Sequence, residues 1–321
     1  MKKAKKIWLI TAASLLVLGC VMFVAAMTFL NWDFTKLSTS NYETSTHKIS
    51  TGFRGISIKT NTADIIFVPT ENTECSVECY EQENLKHSVT VEDEKLVIRV
   101  EDTRKWYHFI GMGFDSPKIT VYLPRGTYDT LSIESDTGDV EIPSDFSFTS
   151  MDISEDTGDV RSLASVSGEL RIRTSTGRIR LADITAGSMD LKTSTGNVIA
   201  WNITCAGDIS ISVSTGETHL SAVTCQNLST TGSTGDLQLE QVVASGHFSI
   251  ERSTGDVTFA DADAAEIFVD TDTGDVEGRL LSDKVFIVNT DTGKKEVPNS
   301  ITGGRCEITT DTGDIKITIL P

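Results

Sequence analysis

Aromatic residues and prolines are scarce in this sequence: only 7% of its residues are Phe, Trp or Tyr, and 6 are proline. Serine, threonine, aspartate and glycine recur along the whole chain. This composition disfavours a helix bundle. It is typical of short strands with small side chains, joined by tight turns.

Basic residues are also few, since 28 Lys and Arg stand against 46 Asp and Glu, for a net charge of −18. The first thirty residues contain four lysines and no acidic residue, so the remainder carries −18 − 4 = −22. A surface this acidic repels nucleic acid and anionic lipid headgroups. We therefore expect no nucleic-acid partner, and a surface that favours solubility, cations or basic ligands.

The cysteines predict neither a cross-linked fold nor a zinc-bound one. Six are present, and Cys20 lies in the apolar N-terminal segment, which leaves an odd number in the rest of the chain. An odd number gives no complete disulfide framework, and the spacing matches no zinc pattern. The five histidines have no nucleophile motif nearby. We predict no catalytic residue, and calcium is the one cofactor that the sequence leaves open.

One long uncharged run, residues 7–30, follows a basic start at residues 1–6. Its 24 residues would span roughly 36 Å as a helix, enough to cross a membrane. The lysines place the N-terminus in the cytoplasm and the rest of the chain outside, as a single-pass protein of the cell membrane. Signal-peptidase cleavage near Ala25 and lipidation of Cys20 are the two alternatives.

The feature that dominates the rest of the chain is a repeat, Asp/Ser-Thr-Gly, often followed by Asp and then an apolar residue. Its ten glycines recur every 19 or 20 residues: Gly138, Gly158, Gly177, Gly196, Gly216, Gly235, Gly255, Gly274, Gly293 and Gly313. Each follows a threonine. We expect these glycines to be structural, at tight corners where a Cβ would clash.

Apolar residues stand five and seven positions before nearly every one of these glycines, with a mostly polar residue between them. Such period-two alternation indicates a strand with one buried face. A repeat of twenty residues cannot bury that face alone, but repeats stacked in parallel can, with each strand paired to its equivalent in the next repeat along the chain. The sequence therefore predicts an all-β, single-stranded parallel β-solenoid of about ten coils, roughly 48 Å long, preceded by a transmembrane helix.

The preceding region divides into a polar stalk at residues 31–46 and an N-terminal β region and cap at 47–130, with the solenoid repeats at 131–321. Residues 56–65 copy the repeat with Ala63 in place of the glycine, and we interpret them as a degenerate first coil. A hairpin is predicted over residues 88–100, and a strand over 118–123.

An aromatic segment, Trp106 to Phe114, lies between the predicted hairpin and the predicted strand. It either plugs the open end of the solenoid or forms a patch that contacts a partner or the membrane.

Taken together, the Asp-Thr-Gly-Asp-Val turns, the lead-in segment Ile119–Gly126 and the N-terminal anchor resemble the bacterial "putative adhesin" family, a domain of unknown function with β-strand repeats. The similarity covers roughly residues 50–321. The resemblance implies a right-handed β-solenoid at the bacterial cell surface, and it brings no catalytic residues. Some members of the family stand beside regulators of envelope stress.

Carboxylates recur at the same two positions of the repeat, so stacking would place them about 4.8 Å apart. Calcium could bridge them, whereas Asp and Ser are also ordinary turn residues. Both interpretations remain open, and a continuous metal channel is excluded because the central repeats lack these carboxylates. The candidate ligands form two clusters: Asp136, Asp139, Asp156 and Asp159, and then Asp272, Asp275, Asp291, Asp311 and Asp314.

Cys205 and Cys225 occupy matching places in adjacent repeats and are either a pair of buried thiols or a disulfide. An active-site cleft needs long inserted loops, and repeats that vary by one residue leave no room for them. We therefore predict a non-enzymatic surface interaction or adhesion module with a surface or membrane-protein partner. The alternatives are an accessory of envelope-stress signalling and, less favoured, a polysaccharide-active enzyme.

Overall fold

The computed structural model describes residues 2–33, 42–103 and 116–320. The apolar N-terminal run forms one helix, α1 (Lys2–Phe29). By length and composition, Lys6–Phe29 could cross a membrane, and a signal sequence would meet the same test.

The rest of the described chain is β-structure joined in one continuous hydrogen-bonded sheet. Its N-terminal strands are β1 (Tyr42–Ile49), β2 (Gly55–Thr62), β3 (Asp64–Thr70), β4 (Cys75–Gln82), β5 (Leu85–Glu92), β6 (Lys95–Asp102) and β7 (Lys118–Pro124). The next are β8 (Gly126–Thr137), β9 (Val140–Ile142), β10 (Phe146–Thr157), β11 (Val160–Ser162), β12 (Ser165–Thr176), β13 (Ile179–Thr195), β14 (Val198–Cys205), β15 (Ile209–Thr215) and β16 (Thr218–Cys225). The last are β17 (Leu228–Thr234), β18 (Leu237–Thr254), β19 (Val257–Thr273), β20 (Val276–Leu280), β21 (Lys284–Thr292), β22 (Lys295–Glu296), β23 (Gly304–Thr312) and β24 (Ile315–Ile319).

The predicted parallel β-solenoid is confirmed. One turn of the coil, here called a rung, has one strand before its glycine and a second strand after it. Equivalent residues pair in register across adjacent rungs, as Thr137 does with Thr157 and Thr157 with Thr176. The alternating apolar side chains, such as Ile153 and Ile172, face a continuous buried core.

The repeat glycine is required because the backbones of adjacent rungs approach each other closely at the corner. A Cβ on Gly216 (φ 143°) would overlap the carbonyl oxygen of Gly196, and one on Gly235 (φ 124°) would overlap that of Gly216. The N–H of Gly216 donates to the Thr234 carbonyl at 2.9 Å, which fixes the spacing between these rungs. In the first coil Ala63 takes the place of the glycine, and Gly138 stacks against it as expected.

A second corner, which the sequence did not reveal, lies six residues after the glycine in the central rungs. Its residues adopt a left-handed conformation with φ between 52° and 57°: Asp183, Asn202, Ala222, Gln241 and Asp261. Asp and Asn tolerate this conformation, whereas Ala and Gln do not favour it. Stacking of the rungs therefore overrides the local preference at two of the five positions.

At the N-terminal end, the rungs do not follow the order of the chain. Strands β2 and β3 lie between two later segments: β6 and β7 on one side, and β8 and β9 on the other. The first coil is thus held between its two successors.

The same exchange occurs at the C-terminal end, and it corrects the expectation that each strand pairs with the next repeat along the chain. Strand β19 pairs with β23, and β23 pairs in turn with β21. The last rung, with Gly313, is therefore inserted between the rungs of Gly274 and Gly293. The chain leaves the stack after Glu296 and re-enters it at Gly304, so Pro298 lies in the crossing segment.

An antiparallel cap closes the N-terminal end. Strand β4 pairs antiparallel with β1 and β7, and β5 and β6 form the predicted hairpin with positive φ at Asp93 and Glu94. Strand β1 begins at Tyr42, within the segment that the sequence predicts as a stalk. The aromatic segment of residues 106–114 lies outside the described residues.

Replacing Gly216 by alanine should lower the free energy of unfolding by roughly 2–4 kcal/mol, because the added Cβ forces two rungs apart and strains a positive φ. Gly52→Ala is the matched control, since a Cβ at Gly52 meets nothing within 4 Å. Thermal and urea unfolding of the full chain in detergent, followed by circular dichroism, would measure both. Equal stability of the two variants would contradict the close approach at the corner.

Candidate functional site

The predicted carboxylate positions lie along one corner of the solenoid. The aspartates that directly follow the repeat glycines stack there, and this stack is called the carboxylate ladder. Asp139 and Asp159 follow their glycines directly and stack in adjacent rungs. The N–H of Asp159 donates to Oδ1 of Asp139 at 2.8 Å, and the N–H of Asp139 donates to Oδ1 of Asp64 at 3.1 Å. Each such carboxylate therefore forms a hydrogen bond from one rung to the next, which the sequence analysis did not foresee.

Arg178 ends this first cluster. Its N–H donates to Oδ1 of Asp159 at 2.9 Å, and its guanidinium donates to Oδ2 at 2.9 Å. Partial burial opposes ionisation of Asp159, but the hydrogen bonds from Arg178 outweigh it and lower the pKa of the carboxyl group. Both oxygens of Asp159 are therefore occupied within the protein.

The second cluster follows the exchanged order of the rungs. The N–H of Asp314 donates to Oδ1 of Asp275 at 2.7 Å, and the N–H of Lys294 donates to Oδ1 of Asp314 at 2.8 Å. The outer carboxylates two residues before the glycines are exposed: Asp136, Asp156, Asp272, Asp291 and Asp311. Lys294 directly follows Gly293, a position at which most of the repeats have an aspartate.

Calcium binding at these clusters stays a prediction. In each rung-to-rung hydrogen bond one carboxylate oxygen is already used, so an ion would have to bind the other oxygen or the exposed outer carboxylates. Within the described ranges, the group of three or more His, Cys, Asp or Glu ligand atoms within 4.8 Å of one another is Cys79, Glu81 and His87. That group lies in the cap and not on the ladder.

A file of buried polar residues runs behind the corner, three residues before Ala63 and before most of the repeat glycines, and Val213 and Gly232 interrupt it. It contains Thr60, Ser135, Glu155, Thr174, Thr193, Arg252, Thr271, Thr310 and Thr290. Four threonine hydroxyls of this file donate to a glycine carbonyl of the adjacent rung, as Thr193 does to Gly177 at 3.1 Å and Thr310 to Gly274 at 3.2 Å. The sequence analysis missed this inward file, although its threonines recur with the same period as the glycines.

Two charged residues interrupt the threonines of this file. Burial raises the pKa of Glu155 to about 8, and both oxygens of this carboxyl group are buried without a hydrogen-bond partner. Burial lowers the pKa of Arg252, whose Nη2 lies 3.3 Å from Oγ1 of Thr218. Gly232 of the adjacent rung makes space for the Arg252 guanidinium, since a Cβ there would overlap it.

The outward face of the strands before the glycines is flat and carries mixed charge. Arg171 lies between acidic groups: its Nη2 is 2.6 Å from Oε1 of Glu169 and its Nε is 3.3 Å from Oδ2 of Asp190. Arg173 reaches the same Asp190 oxygen at 3.0 Å. A shallow groove of about 550 Å³ crosses this face and is lined in part by Ser57, Ser132, Asp152 and Arg171.

The cysteines of the described residues are free. Cys205 and Cys225 are buried in neighbouring rungs next to small residues, since Cys205 pairs with Ala186 and Cys225 with Ala244. Burial raises the pKa of the Cys225 thiol to about 12, which makes it unreactive at neutral pH.

Comparison with known proteins shows one family. The family model described as Toastrack DUF4097 matches residues 53–212 and 202–320. No curated protein matches the sequence.

Solved structures with a similar course of the chain include a putative adhesin from Parabacteroides distasonis, at 12% identity and a TM-score of 0.49, covering 85% of this chain and 97% of that one. A putative adhesin from Bacteroides fragilis shares 15% identity at a TM-score of 0.41, covering 87% and 97%. A putative lipid binding protein from P. distasonis shares 17% identity at a TM-score of 0.48, covering 75% and 98%.

Glu155 should make stability depend on pH. Its pKa in the folded protein, about 8, exceeds the ordinary value of 4.5, so the folded state holds the proton more tightly than the unfolded state. The free energy of unfolding should therefore fall as pH rises from about 4.5 to about 8, by roughly 2–4 kcal/mol. Glu155→Gln should remove this fall.

The control is Glu134→Gln, because Glu134 is exposed and its carboxylate pairs with Lys59 at the surface of the protein. Urea unfolding of both variants and the parent chain at several pH values gives the comparison. The account of Glu155 is wrong if its glutamine variant follows the same pH profile as the parent.

Proposed function

This chain belongs to the Toastrack DUF4097 family, and from that premise we propose that it is a membrane-tethered, extracytoplasmic interaction module without enzymatic activity. The observation that carries the proposal is the uniformity of the rungs. Ten repeats of nearly constant length present a long, flat surface, and between Gly138 and Gly293 no rung gains more than one residue. Such a surface suits a partner that is itself extended, either a protein or a polymer.

The tether is the helix α1. Its length and apolar composition fit a membrane span, and its basic N-terminal end fits retention in the cytoplasm. In this arrangement the acidic solenoid stands outside the cell, attached at its capped end. Strand β1, the first described strand after the helix, belongs to the cap. The rungs therefore extend away from the end at which the protein is attached to the membrane.

We place the contact with the partner on the outward face around Arg171. Here the described surface offers a groove, and its charges of both signs give directional pairing that a uniformly acidic surface lacks. The ladder carboxylates are less suited, because each uses one oxygen within the solenoid. The chemistry of the groove fits a polar partner with groups of both charges.

The test compares two arginines in adjacent rungs, Arg171 on β12 and Arg161 on β11. Cells carrying the full chain with Arg171→Glu should lose most of their attachment to a surface or partner cell relative to the parent chain. Arg161→Glu, on β11, should attach like the parent chain, because Arg161 lies outside the groove and contacts Glu141. Exposed ion pairs are worth about 0–1 kcal/mol, so neither change should unfold the protein.

Output of an envelope-stress promoter, measured in the same strains and in a deletion strain, separates the alternative. Normal attachment with altered promoter output in the deletion strain would replace adhesion with a role in stress signalling. Turnover of a polyuronide by the purified chain would overturn the non-enzymatic proposal.

A further inference from the structure

Three residues with metal-binding side chains meet at the junction of the cap and the first coil. Cys79 and Glu81 lie on β4, and His87 lies on β5 after the tight turn. Their ligand atoms all lie within 4.8 Å of one another, and their exposed fractions are 0%, 1% and 5%. The three residues lie within ten residues of one another in the sequence. The sequence does not show, however, that the turn after β4 brings His87 to the face of the sheet on which Cys79 and Glu81 lie.

Polar side chains of two further strands orient this cluster. Oε1 of Glu81 accepts from the Ser45 hydroxyl at 2.6 Å, and Oε2 accepts from the backbone N–H of His87 at 2.7 Å. The imidazole of His87 lies between two partners, with Nδ1 2.8 Å from Glu81 Oε2 and Nε2 2.9 Å from the Thr60 hydroxyl. The carboxylate and the imidazole are therefore held in place by strands β1, β2, β4 and β5.

Cys79 is not a nucleophile. Burial, and then the charges of Glu81 and Glu78, raise the pKa of its thiol to about 12. A Cys-His-Glu hydrolase is thereby disfavoured, because substrate has no access and the thiol stays protonated.

We propose that Cys79, Glu81 and His87 bind one Zn²⁺ ion, or a cation of similar size and softness, as a structural site. Thiolate sulfur, imidazole nitrogen and carboxylate oxygen are the ligands that zinc prefers. With the usual bond lengths, tetrahedral ligand atoms lie about 3.3–3.8 Å apart, so the cluster needs only small rotations of its side chains. The ion would bind Nδ1 of His87, on the side of Glu81, while the Thr60 hydroxyl holds Nε2 on the other side of the ring. The fourth position is left to water.

The charges of the ligands favour a divalent ion at this buried site. Binding releases the thiol proton of Cys79 to solvent, and the resulting thiolate and the Glu81 carboxylate together carry two negative charges. A divalent cation neutralises both, so that no net charge is buried. The ion would join the cap strands β4 and β5 to each other at the point where Thr60 of the first coil touches His87, and it would thus fasten the cap to the solenoid.

The test measures metal on the full chain in detergent, without a histidine tag. After dialysis against a chelator, the protein should take up one equivalent of added Zn²⁺, measured by mass spectrometry of the metal, and its melting temperature should rise. Co²⁺ in place of Zn²⁺ should give the intense visible bands of a tetrahedral site, together with a near-ultraviolet thiolate charge-transfer band.

Cys79→Ser and His87→Gln should each abolish the charge-transfer band and lower the bound metal at least tenfold. Cys225→Ser is the matched control, since Cys225 is also buried but lies far along the stack, and it should bind metal like the parent chain. Because a cap variant could unfold, circular dichroism checks the fold of each variant, and the metal content and Co²⁺ spectrum of the parent chain are measurements that need no variant. No stoichiometric metal on the parent chain, or equal metal on the Cys79 and Cys225 variants, would overturn the proposal.

Discussion

The close approach of one backbone to the next at the glycine corner is the constraint on which the rest of this structure depends. At that corner, a carbonyl oxygen of one rung occupies the space that a Cβ of the next would fill. This close approach sets the register between adjacent rungs. The hydrogen bonds between rungs, the carboxylate ladder and the file of buried polar residues all require that register. A side chain at the corner would separate the rungs and would break each of these contacts at once.

A stack of identical rungs is weakest at its ends, because a terminal rung has one neighbour instead of two. In this solenoid neither the first nor the last coil of the chain occupies such a terminal place. The first coil lies between two later segments, and the last coil lies between two earlier ones. Neither the first coil nor the last can therefore unwind without displacing another rung, and at the N-terminal end an antiparallel cap covers the stack as well.

Much of the fold could be predicted because the repeat itself encodes it. The spacing of Gly138 to Gly313 gives the coil length, and the alternation before each glycine gives the buried face. The order of the rungs could not be read in this way, since nearly identical repeats pair equally well with any other repeat. Lys295 and Pro298 were the available signals, because they interrupt the apolar pattern where the chain leaves the stack.

Fewer features of the candidate sites than of the fold could be predicted, because a sequence pattern does not show which atoms meet in a hydrogen bond. Period-two patterns identify which side chains share a face, and the repeat spacing predicts that the aspartates of the corner stack along one edge. They do not show that an aspartate accepts a hydrogen bond from a backbone N–H of the next rung, as Asp139 does from Asp159. Nor do they show which side chains a turn brings together, as the β4–β5 turn does with Cys79 and His87.

The exchanged order of the last rungs is the most direct test of register stacking. In a chain with Cys20→Ala, the pair Asp270→Cys and Thr309→Cys joins adjacent rungs, with a Cα separation of about 4.8 Å that permits a disulfide. The pair Asp270→Cys and Asn289→Cys spans two rungs, at about 9.6 Å, which is too far. Mild oxidation followed by peptide mapping should show the first cross-link and not the second, whereas the reverse result would contradict the account.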